Sequence, residues 1–229
     1  MKKRSKRYKE LNKLSTKGKK LELKEIIDLA KKTSTTKFDE SIDVSLRINL
    51  KQSKGGDFNL RTVVKLPDGS GKKSKVAVLC EADKVEEAKK SGADLVGSED
   101  LIENISSGKF NFNKLICTPG MMGKLGKHGK VLGPKGLMPN PKLGTVATDI
   151  KKAVQDIKTG LVEIKNDKDG NVSSTIGRKS FSTEKLLNNY IFLVDSIKKE
   201  KPDLMKTELI KNIYITSTMG ISYKVGGKN

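Results

Sequence analysis

The clearest regularity in the chain is a strict alternation. Ile42, Val44, Leu46, Ile48 and Leu50 alternate with Asp43, Ser45, Arg47, Asn49 and Lys51. Successive side chains of a strand point to opposite faces, so the pattern predicts a half-buried strand with a polar outer face. A turn is expected over residues 51–57, and residues 60–66 predict a second strand, its antiparallel partner. Upstream, residues 21–32 carry Leu23, Ile26, Ile27 and Ala30 at helical spacing.

The pattern changes after residues 67–71, Pro-Asp-Gly-Ser-Gly. Residues 75–80 form a continuous apolar run, which predicts a strand buried on both faces. A short helix over 83–91 follows, with Asp83 as its N-cap, then a strand over 93–96, a helix over 98–107 and a strand over 115–118. Strand, helix, strand, helix, strand with short continuous strands predicts a parallel, doubly wound, Rossmann-like sheet. Residues 126–146 then pack Gly133, Pro134, Gly136, Pro139 and Pro141 into a run that predicts a shaped loop, since proline fixes φ and removes a donor. Ile150, Val154 and Ile157 mark a helix over 149–158, which Gly160 ends.

The first grammar then resumes. Residues 161–165 and 172–176 flank Asn166-Asp167-Lys168-Asp169-Gly170, which predicts a β-hairpin. Ser182 caps a long helix whose Leu186, Leu187, Tyr190, Ile191, Val194 and Ile197 form an apolar stripe. A last strand over 212–218 and an alternating segment from Ile221 to Val225 close the chain. The predicted fold class is therefore mixed α/β and α+β in two domains. Residues 1–66 and 160–229 form a split α+β domain from both termini, and residues 67–159 form an inserted α/β domain reached by a double crossing that acts as a hinge.

Charge narrows the partners. The chain has 229 residues, with 47 Lys and Arg against 27 Asp and Glu, a formal net charge of +20. That excess exceeds what solubility needs and attracts polyanions. No apolar run is long enough to span a membrane, and no apolar stretch of a secretory signal follows the basic start. Residues 1–20 are a basic arm, which reads equally as a solvated terminus or as an arm laid on phosphates. Aromatic residues are 4% with no Trp, so stacking platforms for single strands are not expected. A basic protein poor in aromatics should read the shape and phosphates of folded RNA.

Catalytic chemistry finds little to build on. The loop misses the phosphate-binding pattern G-x-x-x-x-G-K-[ST], because Pro134 separates Gly133 from Lys135 and Gly136 stands where the hydroxyl belongs. His128 is the only histidine and sits between loop residues as a solvated group. The paired carboxylates Asp39-Glu40 and Glu86-Glu87 read as ordinary polar faces or turns. Cys80 and Cys117 read as reduced, buried small residues, and two Cys with one His cannot make a four-ligand zinc site. No cofactor or metal is expected. The competing reading is a phosphate- or nucleotide-binding enzyme using the inserted domain.

One set of motifs is specific. Gly129-x-x-Leu132-Gly133-Pro134-Lys135-Gly136-Leu137-Met138-Pro139-Asn140-Pro141-Lys142-x-Gly144-Thr145-Val146 resembles the signature of the large-subunit ribosomal protein L-one family. Lys37-Phe38-Asp39-Glu40, Leu66-Pro67-x-Gly69-x-Gly71-Lys72, Asn166-Asp167-Lys168-x-Gly170 and Thr218-Met219-Gly220 resemble further family segments, in family order, over nearly the whole chain. Asp68, Phe58, Thr62 and Lys165 depart from the family's usual residues.

The resemblance implies a non-enzyme of the large ribosomal subunit in the cytoplasm, monomeric outside the ribosome. It implies a protein that binds large-subunit ribosomal RNA and forms the mobile stalk beside the tRNA exit site. It further implies contact with exiting deacylated tRNA and repression of its own operon through its messenger RNA. Its RNA face would comprise Lys37, Phe38, Asp43, Lys165, Asp167, Lys168, Thr218, Met219 and Gly220, with Lys135 and Lys142 as a second contact. Glycine at 220 would let RNA approach closely. Without the resemblance, Met219 reads as an ordinary core residue.

Overall fold

The structure is a computed structural model of the chain and describes residues 5–15, 21–50, 59–72, 74–108, 110–202 and 207–226. In chain order the elements are helices α1 (Lys6–Lys13) and α2 (Leu23–Thr33), strands β1 (Ser41–Ile48), β2 (Arg61–Lys65) and β3 (Val76–Leu79), and helix α3 (Val85–Lys90). Then come β4 (Leu95–Gly97), α4 (Glu99–Ser106), β5 (Lys114–Cys117), α5 (Pro119–Gly126), α6 (Gly129–Leu132) and α7 (Ile150–Thr159). The chain closes with β6 (Leu161–Lys165), β7 (Asn171–Arg178), α8 (Thr183–Lys199), β8 (Ile210–Ser217) and β9 (Ser222–Val225). It divides into two compact units, residues 1–71 with 162–229, and residues 72–161.

In the first unit β7, β1, β8 and β9 form a sheet in that order. β1 is antiparallel to both neighbours, with Asp43 opposite Thr175 on one side and Thr216 on the other. Ile42, Val44, Leu46 and Ile48 are buried in one core with Ile26, Ile27 and Ala30 of α2 and Leu186, Leu193 and Ile197 of α8. Burying each such side chain contributes roughly 1.5–3 kcal/mol. A one-residue slip of β1 would expose all four, so hydrophobic burial fixes the register, and the polar face follows.

Several local expectations change. β2 does not pair with β1; it pairs with β6 in a separate two-stranded sheet. Nor do β6 and β7 form a hairpin ladder, since they enter different sheets and share only the isolated bridge between Asn166 and Val172. The central position beside β1 goes to β7 and β8, whose inner faces carry Val172, Ile176 and Ile215 for the core. The α8 stripe is also rotated: Ile191 is exposed, and Asn189 takes a fully buried place. Asn189 donates to the carbonyls of Gly69 and Ile176 and accepts the amide of Asp68, so it fixes the turn after β2. Within the basic arm, α1 is a helix that buries Leu11, while Lys2, Lys3 and Arg4 lie outside the described residues. The turn expected over 51–57, and Phe58, also lie outside them.

In the second unit β4, β3 and β5 form a parallel sheet with β3 central. The continuous apolar run of β3 divides by alternation. Ala77 and Leu79 enter a cluster with Leu101, Ile105, Met121 and Leu132, while Val76, Val78 and Cys80 join Ala88, Val154 and Ile157. Helices therefore cover both faces. Asp83 is not the cap of α3, whose N-cap position is Lys84. The Gly/Pro run is partly helical, with α6 and a 3-10 turn at Pro141–Leu143, and a bridge from Val146 to Cys117 ties its end to the sheet.

Candidate nucleic-acid interface

The outer face of the four-stranded sheet is polar because the inner face took the apolar positions. Asp43, Ser45 and Arg47 of β1 stand opposite Thr175, Ser173 and Asn171 of β7 and Thr216, Tyr214 and Asn212 of β8. Ser222 and Lys224 of β9 extend the same rows. Asp43 is not left as a bare acid: its carboxylate accepts the Thr175 hydroxyl at 2.6 Å and the Ser41 hydroxyl at 3.5 Å.

At one end of β1 two loops meet. The turn after β8 begins at Thr218, whose amide donates to the Ser41 carbonyl at 3.1 Å and whose hydroxyl accepts the Ser41 amide at 3.1 Å. The other loop carries Lys37 and Phe38 between α2 and β1. Glu40 joins them. It is fully buried, contrary to its expected place on an ordinary polar turn. One carboxylate oxygen accepts the amide and hydroxyl of Thr36, at 3.2 and 2.8 Å, and the other accepts the Met219 amide at 2.9 Å. Burial pushes its pKa up, but the hydrogen bonds from Met219 and Thr36 outweigh burial and hold it below the usual carboxylate value.

Residues 178–180 hold the same loop from its other side. Arg178 donates to the Asp39 carbonyl at 3.0 Å, and Lys179 donates its side chain to the Ser34 carbonyl and its amide to the Glu40 carbonyl. The amide and hydroxyl of Ser180 donate to the Asp39 carboxylate at 3.1 and 2.8 Å. With its backbone so constrained, the loop presents Phe38 at 54% exposure, and the facing turn presents Met219 at 49%. Met219 is therefore no core residue. Gly220 has an internal reason for its identity: a Cβ there would lie 2.2 Å from the buried Ser217 hydroxyl oxygen.

Lys165, Asp167 and Lys168 lie elsewhere, at the opposite end of β1. The Ile48 amide donates to the Gly170 carbonyl at 2.8 Å, which sets the 166–170 corner beside the strand's last residue. From Ser41 to Ile48 a strand rises about 23 Å. The predicted residues thus form two groups with the hydroxyl-bearing face between them. Asp167 spends its carboxylate on the corner, accepting the amides of Asp169 and Asn171 at 3.0 and 2.6 Å and the Asn171 side-chain amide at 3.0 Å. The Asn171 side-chain bond, followed by its backbone bond, lowers the Asp167 pKa. Lys165 and Lys168 are exposed.

Lys135 belongs to the second unit, where its ammonium lies 3.6 Å from the centroid of the Phe110 ring. The side chain of Lys142 is outside the described residues. Cys80 and Cys117 are buried and unpaired there; burial first, then the neighbouring Cys80, pushes the Cys117 thiol up to about 11. Among the described residues no group of His, Cys, Asp and Glu could hold a metal, and no helix is long and apolar enough to cross a membrane.

Sequence reasoning missed Glu40, Asn189, Arg178 and Lys179. A carboxylate entering a strand looks solvated when its burial partners lie far along the chain. The signals for Glu40 were its place in the Lys37–Glu40 family segment and its position two residues before Ile42, in phase with the buried face of β1.

The profile of the ribosomal protein L1p/L10e family matches residues 30–221. The chain belongs to this family. The matched stretch holds all the residues of the two loops and of the 166–170 corner. Two L1p/L10e relatives carry the name large ribosomal subunit protein uL1. That of Pelagibacter ubique (strain HTCC1062) is 59% identical over 204 residues, 89% of each chain. That of Kosmotoga olearia (strain ATCC BAA-1733 / DSM 21960 / TBF 19.5.1) is 46% identical over 225 residues, 98% of this chain and 97% of the relative. Membership of this ribosomal family makes the chain a structural ribosomal protein and not an enzyme, which removes the phosphate-ligand enzyme reading.

Proposed function

We propose that this protein holds a folded segment of large-subunit ribosomal RNA, as a ribosome-bound protein of the cytoplasm. The observation that carries the reading is the pair of exposed apolar tips, Phe38 and Met219, on two loops locked together through Glu40. Two exposed apolar side chains on loops tied to each other fit a contact with something outside the chain better than either alone would. Around them lie lysines and a row of hydroxyls in a protein of charge +20. Folded RNA is recognised through shape, phosphates and 2′-hydroxyls, which hydroxyl and ammonium groups match.

On this reading Lys37, Phe38, Thr218, Met219 and Gly220 form the primary contact. Asp43 positions the hydroxyls of Ser41 and Thr175 on the face between, and Lys165 and Lys168 meet phosphates at the far corner, which Asp167 shapes. The split domain of residues 1–66 and 160–229 is the RNA-binding domain and residues 67–159 the inserted one. Lys135 and Lys142 supply a second contact. The protein, a monomer when free, forms the mobile stalk beside the tRNA exit site, meets exiting deacylated tRNA, and represses its own operon by binding the messenger RNA with the same face.

Binding of a large-subunit stalk RNA across salt tests this. If about six or more phosphates are neutralised, affinity falls on the order of 10³-fold between low and moderate salt. The operon messenger should compete for the same face. Equal binding of any unrelated hairpin, or a flat response to salt, would remove the reading.

A further inference from the structure

We propose that the N-terminal helix α1 is a strap across the recognition loops, with Arg7 as its positioning residue. The inference rests on the reading that the Phe38 and Met219 loops hold RNA. It concerns a helix that sequence composition left open between a solvated terminus and a phosphate-binding arm.

Three observations carry it. First, α1 is anchored. Leu11 is buried in the core of the first unit and Tyr8 packs against that core, while the Ser5 hydroxyl caps the helix by accepting the Tyr8 amide at 3.3 Å. Anchoring at positions 8 and 11 fixes the rotation of the helix, and with it the direction of Arg7, one residue before Tyr8. Second, Arg7 is half-buried and its two terminal nitrogens reach both loops: one donates to the Met219 carbonyl at 2.9 Å, the other to the Thr35 hydroxyl at 3.3 Å. A guanidinium offers planar, rigidly spaced donors that can serve two acceptors together; a lysine ammonium is a point charge on a flexible stem. Third, Glu40 joins the same two loops from inside, through Thr36 and the Met219 amide. The Met219 residue is therefore held at both its polar groups, the N–H by Glu40 and the C=O by Arg7. A buried anion and a half-buried cation clamp one exposed apolar residue between them.

Arg7 so placed acts through Met219 and Thr35, not on a phosphate, and this separates it from the exposed lysines. In titrations of the full chain with stalk RNA, Arg7→Ala should weaken binding on the order of tenfold, the loss of a charged hydrogen bond. The slope of affinity against salt should stay that of wild type. Arg7→Lys should recover only part of the loss. Arg7→Ala should add little to Met219→Ala, because both act on one contact. Hydrogen exchange should show lost protection at the Met219 amide with the sheet amides unchanged, and if Arg7→Ala does not fold, Arg7→Gln carries the same comparison. A slope lowered by about one would make Arg7 a phosphate ligand and overturn the proposal. So would wild-type binding by Arg7→Ala while Met219→Ala binds weakly. Wild-type binding by Met219→Ala would instead overturn the reading of the face itself.

Discussion

The buried carboxylate of Glu40 accepts the backbone amide of Met219 at 2.9 Å, across 179 positions of sequence. Its other oxygen holds Thr36. One side chain thereby sets the Phe38 and Met219 loops against each other. Glu40→Ala would leave part-buried donors without acceptors and should cost on the order of 1–3 kcal/mol in all in urea unfolding. Glu40→Gln, which keeps the shape, should cost less. Both should weaken stalk-RNA binding, and unchanged binding with unchanged stability would deny Glu40 this role.

The same carboxylate predicts a pH dependence. Its folded pKa lies below the ordinary value of 4.5, so its contribution is fully present above that value and is lost as pH falls through the lower folded pKa. The stability difference between wild type and Glu40→Gln should be constant near neutral pH and shrink in acid below 4.5. A difference that grows on acidification would contradict the sign.

Gly220 and Ser217 should couple. An added Cβ at 220 meets the Ser217 hydroxyl oxygen at 2.2 Å, and that hydroxyl is buried without a hydrogen-bond partner. Gly220→Ala alone should destabilise by about 1–3 kcal/mol through overpacking. Ser217→Ala alone should be near neutral, and the double variant should recover much of the loss. Additive unfolding energies would place the strain elsewhere.

Met219→Glu tests the exposed apolar tip directly. The side chain is half in solvent and outside the buried core, and the change sets a negative charge at the proposed RNA contact. Thermal unfolding should be nearly unchanged while specific stalk-RNA binding disappears. Retained tight binding would move the RNA face away from this turn.

At the far corner, Lys168→Ala should lower the salt slope by about one and weaken binding evenly across RNAs, as expected for a phosphate contact. Asp167→Ala should act differently, by loosening the turn whose amides it accepts. The check is hydrogen exchange at Asp169 and Asn171, which should rise in Asp167→Ala and stay unchanged in Lys168→Ala.

Local periodicity was enough to place most elements. The alternation of β1, the helical stripe of α2 and the caps of α7 and α8 are all encoded within a few residues, because burial and capping act at short range. The Ser182 side chain does accept the amide of Lys185, and Asp149, read from the sequence only as the start of its helix, accepts the amide of Lys152. Partner choice was not local. β1 looked ready to pair with β2, its neighbour in sequence, yet β7 and β8 flank it, and β2 reaches the same core through Val64 from a separate sheet with β6. Likewise Asn166–Gly170 had the composition of a hairpin turn, and a corner between two sheets needs the same residues.

The sequence by itself determined the composition of the candidate interface: a basic, aromatic-poor chain with Phe38, Met219 and the serines and threonines at fixed positions. Charge and residue type need no fold to be counted. Only the tertiary structure decided which of these residues stand together. It put Phe38 beside the Met219 turn, sent Lys165 and Lys168 to the other end of β1, and turned Glu40 and Arg7 from surface charges into the two sides of a clamp. The physical reason is that a buried carboxylate is tolerated only where donors converge on it. In this chain those donors come from opposite ends of the sequence and meet only when the sheet closes.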